Sequence, residues 1–131
     1  MLGTGYAWDR YPGLREAGCH NFTLEGALGL RKALAEFKGG DIVVLAPEFP
    51  NHCPGYQFEI PSRVVFHARG CGVKARVKLV HGLPMEVAMD SLFGVARTWY
   101  RIHEEMGDIE YHLGKQLERV DPNTKTNILQ G

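Results

Sequence analysis

The stretch from Gly40 to Glu59, GDIVVLAPEFPNHCPGYQFE, decides how the rest of the chain is interpreted. Its apolar run, residues 42–46, does not alternate with polar residues, which is typical of a central parallel strand covered on both faces. The run stops at a proline, a polar loop then presents Cys53, and Pro54 suits the first position of a new helix because its missing N–H would have no partner there. The stretch therefore predicts a strand, a thiol-bearing loop and a helix.

Helical and extended patterns alternate along the remaining chain. A helix is expected after Asn21 or Thr23, either of which can cap it, and it should end at the glycine pair 39–40. Pro61 is expected to kink the helix after Cys53 or to begin a second segment. Further patterns predict a strand with one wet face at residues 73–80, a helix at 92–106 and another strand at 108–113. Residues 116–131 are expected to form two extended pieces joined by a turn.

This order of elements predicts an α/β fold. Strands that alternate with helices favour a Rossmann-like three-layer domain with a central parallel sheet and right-handed crossovers. The last two extended pieces add a β-ribbon to it. The apolar stripe on the helix over residues 92–106 includes Trp99 and His103 and is expected to face the core rather than a cofactor.

Composition limits the classes of function. The 131 residues include fifteen basic and fifteen acidic side chains, so the net charge of zero gives no electrostatic footprint for nucleic acid. No apolar run approaches the roughly 18 residues of a membrane span, and no signal segment opens the chain, so a cytoplasmic location is expected. Three cysteines, Cys19, Cys53 and Cys71, cannot all pair within one chain, and reduced thiols are expected.

Cys53 is the candidate catalytic residue. Ligands of parallel α/β sheets bind at the carboxyl ends of the strands, but the glycine-rich G-x-G-x-x-G turn of dinucleotide sites is missing after the first strand. In its place Cys53 is expected as the N-cap or a first-turn residue of the helix, where the positive end of the helix dipole stabilises a thiolate. His52 and Glu59 are further candidates for acid or base roles beside it.

Three segments resemble the sulfide:quinone oxidoreductases and the flavoprotein subunit of flavocytochrome c sulfide dehydrogenase. They are CPGYQFE at residues 53–59, GGDIVVLAP at residues 39–47, and the opening LGTG with YPGL, at residues 2–5 and 11–14. Those enzymes belong to the pyridine nucleotide-disulfide oxidoreductase superfamily. The resemblance implies that residues 1–14 are a connector closing an FAD-binding half, with Gly3, Thr4 and Gly5 on the FAD side. Residues 15–118 would be the central, NAD-domain-like unit, and residues 119–131 a β segment leading out of it.

The resemblance also implies a function for Cys53. A cysteine at this position accepts sulfide and forms a disulfide or polysulfide with a second cysteine near the flavin, in a part of the enzyme that this chain does not include. The implied partners are sulfide, quinone or another acceptor, and the remaining FAD-binding part. The isolated chain is expected to bind no FAD and to be inactive. The full enzyme would be a cytoplasmic oxidoreductase, peripheral to the membrane in some members.

Two other interpretations of the chain stay open. It is alternatively the NAD(P)H-binding domain of a related flavoprotein, or a non-catalytic Rossmann-like interaction module. A zinc site built from Cys19, His20, His52 and Cys53 is a weaker hypothesis, because adjacent residues rarely point at one metal, and no metal site is expected. Cys71, between two glycines, is expected to be a buried structural residue.

Overall fold

A computed structural model of the chain describes residues 8–47, 53, 55–90 and 94–130. The chain forms two compact units. The sheet unit is Glu36–Gln116, and the terminal unit combines Met1–Ala35 with Leu117–Gly131. In chain order the elements are a 3-10 turn (Trp8–Arg10), α1 (Leu14–Ala17), α2 (Leu24–Glu36), β1 (Gly40–Ala46), α3 (Tyr56–Gly70), β2 (Ala75–His81), α4 (Met85–Asp90), α5 (Val95–Met106), β3 (Ile109–Leu113), β4 (Gln116–Asp121) and β5 (Thr126–Gln130).

The sheet unit contains a three-stranded parallel sheet in the order β1-β2-β3. In its register Ile42 lies opposite Val77, and Val77 lies opposite Ile109. Helices flank this sheet, and a separate two-stranded antiparallel ribbon, β4-β5, follows it, so the predicted α/β class and the added ribbon are confirmed. The prediction that β1 is the central strand is wrong, since β2 is central among the described strands.

The alternation in β2 explains how the sheet is covered. Ala75, Val77, Leu79 and His81 are buried on one face, whereas Arg76 on the other face is exposed. The buried face packs against a core that α3, α4 and α5 supply, which includes Phe58, Ala88, Met89 and Ala96. The expected wet face is confirmed at Arg76, whereas on the same face Lys78 is half-buried and Val80 is buried.

The wet face carries an ion cluster at its amino end. The carboxylate of Asp41 in β1 lies 2.7 Å from Arg76 Nη2 and 2.7 Å from Lys78 Nζ. The hydrogen bond from Lys78, with that from Arg76, holds the pKa of Asp41 below its usual value. β1 is only half-buried over most of its length, so the expectation of a strand covered on both faces is also wrong.

Helix α3 begins later than its sequence predicts. Gly55 is its N-cap and Tyr56 its first residue, so Cys53 precedes the cap and is neither the N-cap nor a first-turn residue. Pro54, expected at the first helical position, lies outside the described residues. Pro61 is inside α3 and begins no second segment. It is fully buried, and this packing offsets the hydrogen bond that its missing N–H cannot make.

The terminal unit joins the two ends of the described chain. Val120 N–H in β4 donates a 2.8 Å hydrogen bond to the carbonyl of Pro12. Gly13 is needed at this contact, because its φ is +79° and a Cβ there would lie 1.9 Å from the carbonyl oxygen of Val120. Asp121 closes the β4-β5 turn by accepting the N–H of Asn123 at 2.9 Å, which lowers the pKa of its carboxyl.

Helix α2 belongs to the terminal unit, although it directly precedes β1. Thr23, one of the two predicted caps, accepts the N–H of Gly26 on its hydroxyl at 3.1 Å. None of the residues of α2 is buried. The compact units therefore divide the chain near residues 36 and 116, whereas the resemblance places its boundaries at 15 and 118. Within the described residues no helix has the length and apolar character that a membrane crossing requires.

Candidate functional site

The carboxyl ends of the three parallel strands form the candidate site. Ala46, His81 and Leu113 lie side by side in the register of the sheet. Helix α3 starts at the same end, because it returns the chain from the carboxyl end of β1 to the amino end of β2. Parallel α/β sheets bind their ligands at this edge, which we call the carboxyl edge.

Cys53 lies in the segment that leads from the carboxyl edge into α3. It is exposed and carries a free thiol. Its carbonyl oxygen accepts a hydrogen bond of 3.0 Å from the N–H of Tyr56, which fixes its backbone against the first residue of the helix. Gly55 offers no side chain to cap the helix. The positive end of the α3 dipole therefore lies at the segment that holds the thiol, although Cys53 itself is outside the helix.

Of the other predicted site residues, Glu59 is the one that lies in the described part of the chain. Glu59 is in the first turn of α3, and its carboxylate lies 3.0 Å from Arg63 Nη2, four residues further along the helix. An acid or base role for Glu59 at the thiol stays a prediction. His52, Gly3, Thr4 and Gly5 lie outside the described residues.

A buried histidine at the carboxyl edge was missed in the sequence. His81 is the last residue of β2 and is fully buried, with its ring stacked on Phe58 at a centroid distance of 6.3 Å. Burial lowers its pKa, so the neutral form is favoured. The alternation Val77, Leu79 continues to position 81 and would have placed the ring on the buried face, but the sequence interpretation ended the strand at Val80.

The hydrogen bonds of His81 define its tautomer. Nδ1 accepts the N–H of Leu83 at 2.9 Å, so in the neutral ring the proton is on Nε2. Nε2 lies 3.3 Å from Nε2 of the Gln57 side-chain amide, which is also buried. Two N–H groups cannot hydrogen-bond to each other, so with this tautomer the contact becomes a hydrogen bond only when the amide is turned to present its oxygen. This pair joins the start of α3 to the end of β2.

The described part of the carboxyl edge differs from a dinucleotide site. Strand β2 ends in a buried histidine whose lowered pKa favours the neutral ring, whereas Rossmann domains place a carboxylate near this position to bind the ribose. This difference agrees with the missing glycine-rich turn in the sequence after β1.

The expected core role of Trp99 and His103 is confirmed. His103 is fully buried, with Nδ1 2.6 Å from the hydroxyl of Tyr111, and Trp99 packs against the core. Burial lowers the pKa of His103 to about 4 and raises the pKa of Tyr111. Nε2 of His103 is buried without a hydrogen-bond partner among the described residues. The ring is part of the core, so we assign it no role at the carboxyl edge.

The three thiols are all free and exposed. The expectation that Cys71 is buried is therefore wrong, whereas its structural role stays a prediction. Cys53 precedes α3 and Cys71 follows it, and a helix of 15 residues spans about 22 Å. A disulfide needs the two Cα atoms within about 7 Å, so these two residues cannot pair within one folded chain. Among the described residues no group of three or more histidine, cysteine or acidic side chains could hold a metal ion.

Comparison with known proteins adds no relative. No protein-family model matches the chain, and no curated protein matches it. The resemblance to sulfide-oxidising flavoproteins therefore stays a prediction from the sequence.

Proposed function

We propose that this chain is the central domain of an FAD-dependent oxidoreductase of the sulfide:quinone type, in which Cys53 is the thiol that accepts sulfide. The observation that carries the proposal is the position of Cys53. It is a free, exposed thiol beside the N-terminus of α3, at the edge of a parallel sheet where ligands bind. A reactive cysteine needs an accessible sulfur and a positive local environment; Cys53 is exposed, and the nearby N-terminus of α3 supports the second requirement.

The nested order of the two units supports the same proposal. The sheet unit is one continuous segment, and the terminal unit combines the residues before it with those after it. Pro12 and Val120, on either side of the sheet unit in sequence, are joined by a hydrogen bond. This organisation fits a central domain inserted between two parts of another domain, as the resemblance implies.

The proposed reaction is thiol-disulfide exchange with sulfide as the nucleophile. Sulfide attacks Cys53 Sγ in a disulfide with a second thiol outside this chain. A new S–S bond forms at Cys53, the old one breaks, and the second thiol leaves as a thiolate. Sulfide loses two electrons and the disulfide gains them. When bound, FAD would accept the two electrons released as the Cys53 persulfide and the second thiolate are oxidised, and would pass them to a quinone or another acceptor.

Binding of FAD is part of the proposal and not of the described site. Gly3, Thr4 and Gly5, which the resemblance places on the FAD side, lie outside the described residues. The remaining FAD-binding part of the enzyme is the proposed partner, and the proposed location is the cytoplasm, at the membrane surface in the full enzyme. The NAD(P)H-binding alternative has less support, because β2 ends in His81 where a ribose-binding carboxylate is expected, and the sequence after β1 has no glycine-rich turn.

The rates at which the three thiols are alkylated test the proposal. The chain is treated with limiting iodoacetamide at pH 7, and each cysteine is quantified by peptide mass spectrometry. Cys19 is the reference, because it is also free and exposed but does not follow a strand of the parallel sheet. Cys53 should react at least about tenfold faster than Cys19, since thiols at helix N-termini are activated. Equal rates at Cys53 and Cys19 would remove the main support for a redox role.

A further inference from the structure

A thiol and an imidazole lie together at the opposite end of α3 from Cys53. Sγ of Cys71 is 3.8 Å from Nε2 of His67, one helical turn earlier, and both residues are exposed. This pair was not predicted from the sequence, in which Cys71 was expected to be buried. It lies at the amino end of the sheet, since α3 ends where β2 is about to begin.

The backbone around Cys71 is fixed by the end of the helix. Cys71 is the C-cap, and Gly72 follows it with a φ of +69°. The N–H of Gly72 donates to the carbonyl of Arg69 at 3.0 Å, and the N–H of Val73 donates to the carbonyl of Ala68 at 2.8 Å. These two bonds form a Schellman motif, which holds the thiol in place beside the last turn of α3. The pair with His67 is therefore positioned by secondary structure and not by a flexible loop.

An open cavity of about 320 Å³ lies beside the end of α3, and its lining includes Gly72, the neighbour of Cys71 in sequence, but neither Cys71 nor His67. Gly72, Lys74 and Arg69 are among its lining residues. A second open cavity of about 410 Å³ shares Lys74 and adds Lys38 and Arg76.

The charges around the two cavities favour an anion. Their lining residues include the four cations Lys38, Arg69, Lys74 and Arg76 and the two carboxylates Asp41 and Asp108. Each carboxylate is already paired with an arginine, Asp41 with Arg76 and Asp108 with Arg69. The two lysines thus leave a net positive charge at this end of the sheet, which attracts negatively charged small molecules.

We propose that Cys71 is a thiol-disulfide exchange site for a small, carboxylate-bearing disulfide. His67 Nε2 takes the proton of the Cys71 thiol as Sγ attacks one sulfur of the disulfide. The Cys71–S bond to that sulfur forms, the S–S bond of the small molecule breaks, and its other half leaves as a thiolate that receives the proton. Cys71 is oxidised to a mixed disulfide and the small disulfide is reduced, so atoms and electrons balance. Lys74 attracts the carboxylates of the incoming molecule.

This site is independent of the proposed function at Cys53. The two thiols are separated by the length of α3, about 22 Å, and they belong to different peptides in a digest. Failure at one thiol therefore leaves the result at the other unchanged, and a single mass-spectrometric experiment reports both.

Glutathione disulfide, which is anionic, is the probe that tests the proposal, with the neutral hydroxyethyl disulfide as its matched control. The rate of mixed-disulfide formation is measured at Cys71 and at the reference Cys19 in the same sample. With glutathione disulfide, we expect the mixed disulfide to form about tenfold faster at Cys71 than at Cys19, which is a modest effect for a positioned general base. Equal rates at the two thiols would overturn the proposal.

Two variants separate the roles of the base and the cation. His67→Gln removes the base at an exposed helix position and should reduce the Cys71 rate to that of Cys19 with both disulfides. Lys74→Gln should lower the rate with glutathione disulfide about threefold, the size of one exposed ion pair, and leave the rate with hydroxyethyl disulfide unchanged. An unchanged rate in His67→Gln would refute the role of His67. Equal losses with both disulfides in Lys74→Gln would refute the preference for an anion. Circular dichroism of each variant checks that it folds.

Discussion

Acidification should destabilise the sheet unit through His103. The ring of His103, which is in α5, is fully buried against Trp99 of the same helix and Tyr111 of β3. Its Nε2 has no hydrogen-bond partner among the described residues. A charge placed on it would be buried without compensation. Burial accordingly lowers its pKa from 6.5 to about 4.

The sign and size of the effect follow from these two pKa values. Between pH 6.5 and about 4 the unfolded chain binds a proton at His103 and the folded chain does not, so stability falls as the pH falls. One pKa unit corresponds to about 1.4 kcal/mol, so the full loss is about 3 kcal/mol, and about 2 kcal/mol is lost on going from pH 7.5 to 5. This is a large part of the roughly 5–15 kcal/mol by which domains are stable.

Urea unfolding followed by circular dichroism at pH 7.5 and pH 5 measures this loss. The double variant His103→Leu with Tyr111→Phe replaces both partners of this hydrogen bond by apolar side chains of similar shape, so neither partner is left as an unpaired polar group. The wild-type chain should lose about 2 kcal/mol more than the double variant between the two pH values. His67→Gln, which removes an exposed histidine, is the control and should behave as the wild type. Equal losses in the wild type and the double variant would refute the reasoning.

Two further predictions test the packing of each unit. Phe58→Ala, in the core of the sheet unit, should lower the free energy of unfolding by about 3–5 kcal/mol. Phe66→Ala on the same helix is the control and should change it by less than about 0.5 kcal/mol, because Phe66 is 78% exposed. Similar losses in both variants would contradict the assigned core. Gly13→Ala should destabilise the terminal unit by at least about 1 kcal/mol, because the added Cβ would overlap the carbonyl of Val120. Gly29→Ala on α2 should stabilise the unit by about 0.5–1 kcal/mol, because the added Cβ would meet no atom within 4 Å. A thermal melt of each variant compares them, and a neutral Gly13→Ala would mean that Pro12 and β4 do not meet as described.

Local periodicity was sufficient to predict the fold class. The alternation of Lys74, Arg76 and Lys78 with apolar residues identified β2 and its wet face. The stripe on α5 identified its buried side, and Gly107 ends that helix with a φ of +73°, as glycine at a helix C-terminus does. These features depend on neighbouring residues only, so the sequence carries them completely.

Features set by distant parts of the chain were not predictable in the same way. The apolar run of β1 predicts a strand but not its place in the sheet, because its coverage depends on elements elsewhere in the sequence. Helix α2 has the spacing of a helix beside the sheet, yet it belongs to the terminal unit. Its two exposed leucines, Leu24 and Leu28, look like core residues in a sequence.

The candidate site shows the same limit. Cys53 was found because a thiol between a strand and a helix is an unusual local pattern, but its offset from the helix start depends on Gly55 as the cap. The pairing of Gln57 with His81 joins residues 24 positions apart and has no local signature. Cys71 was misjudged because the Schellman motif, and not the apolar character of cysteine, determines its exposure.

The most direct test of the central claim is the reaction of sulfide with Cys53. The thiols are first converted to mixed disulfides with an aromatic thiol, which is a good leaving group, and sulfide is added in excess. Attack at the cysteine sulfur releases the coloured aromatic thiolate and leaves a persulfide, which mass spectrometry assigns to each residue. The proposal predicts that the Cys53 persulfide forms at least about tenfold faster than that of Cys19, because the end of α3 stabilises developing negative charge. Persulfide formation at Cys53 no faster than at Cys19 would contradict it.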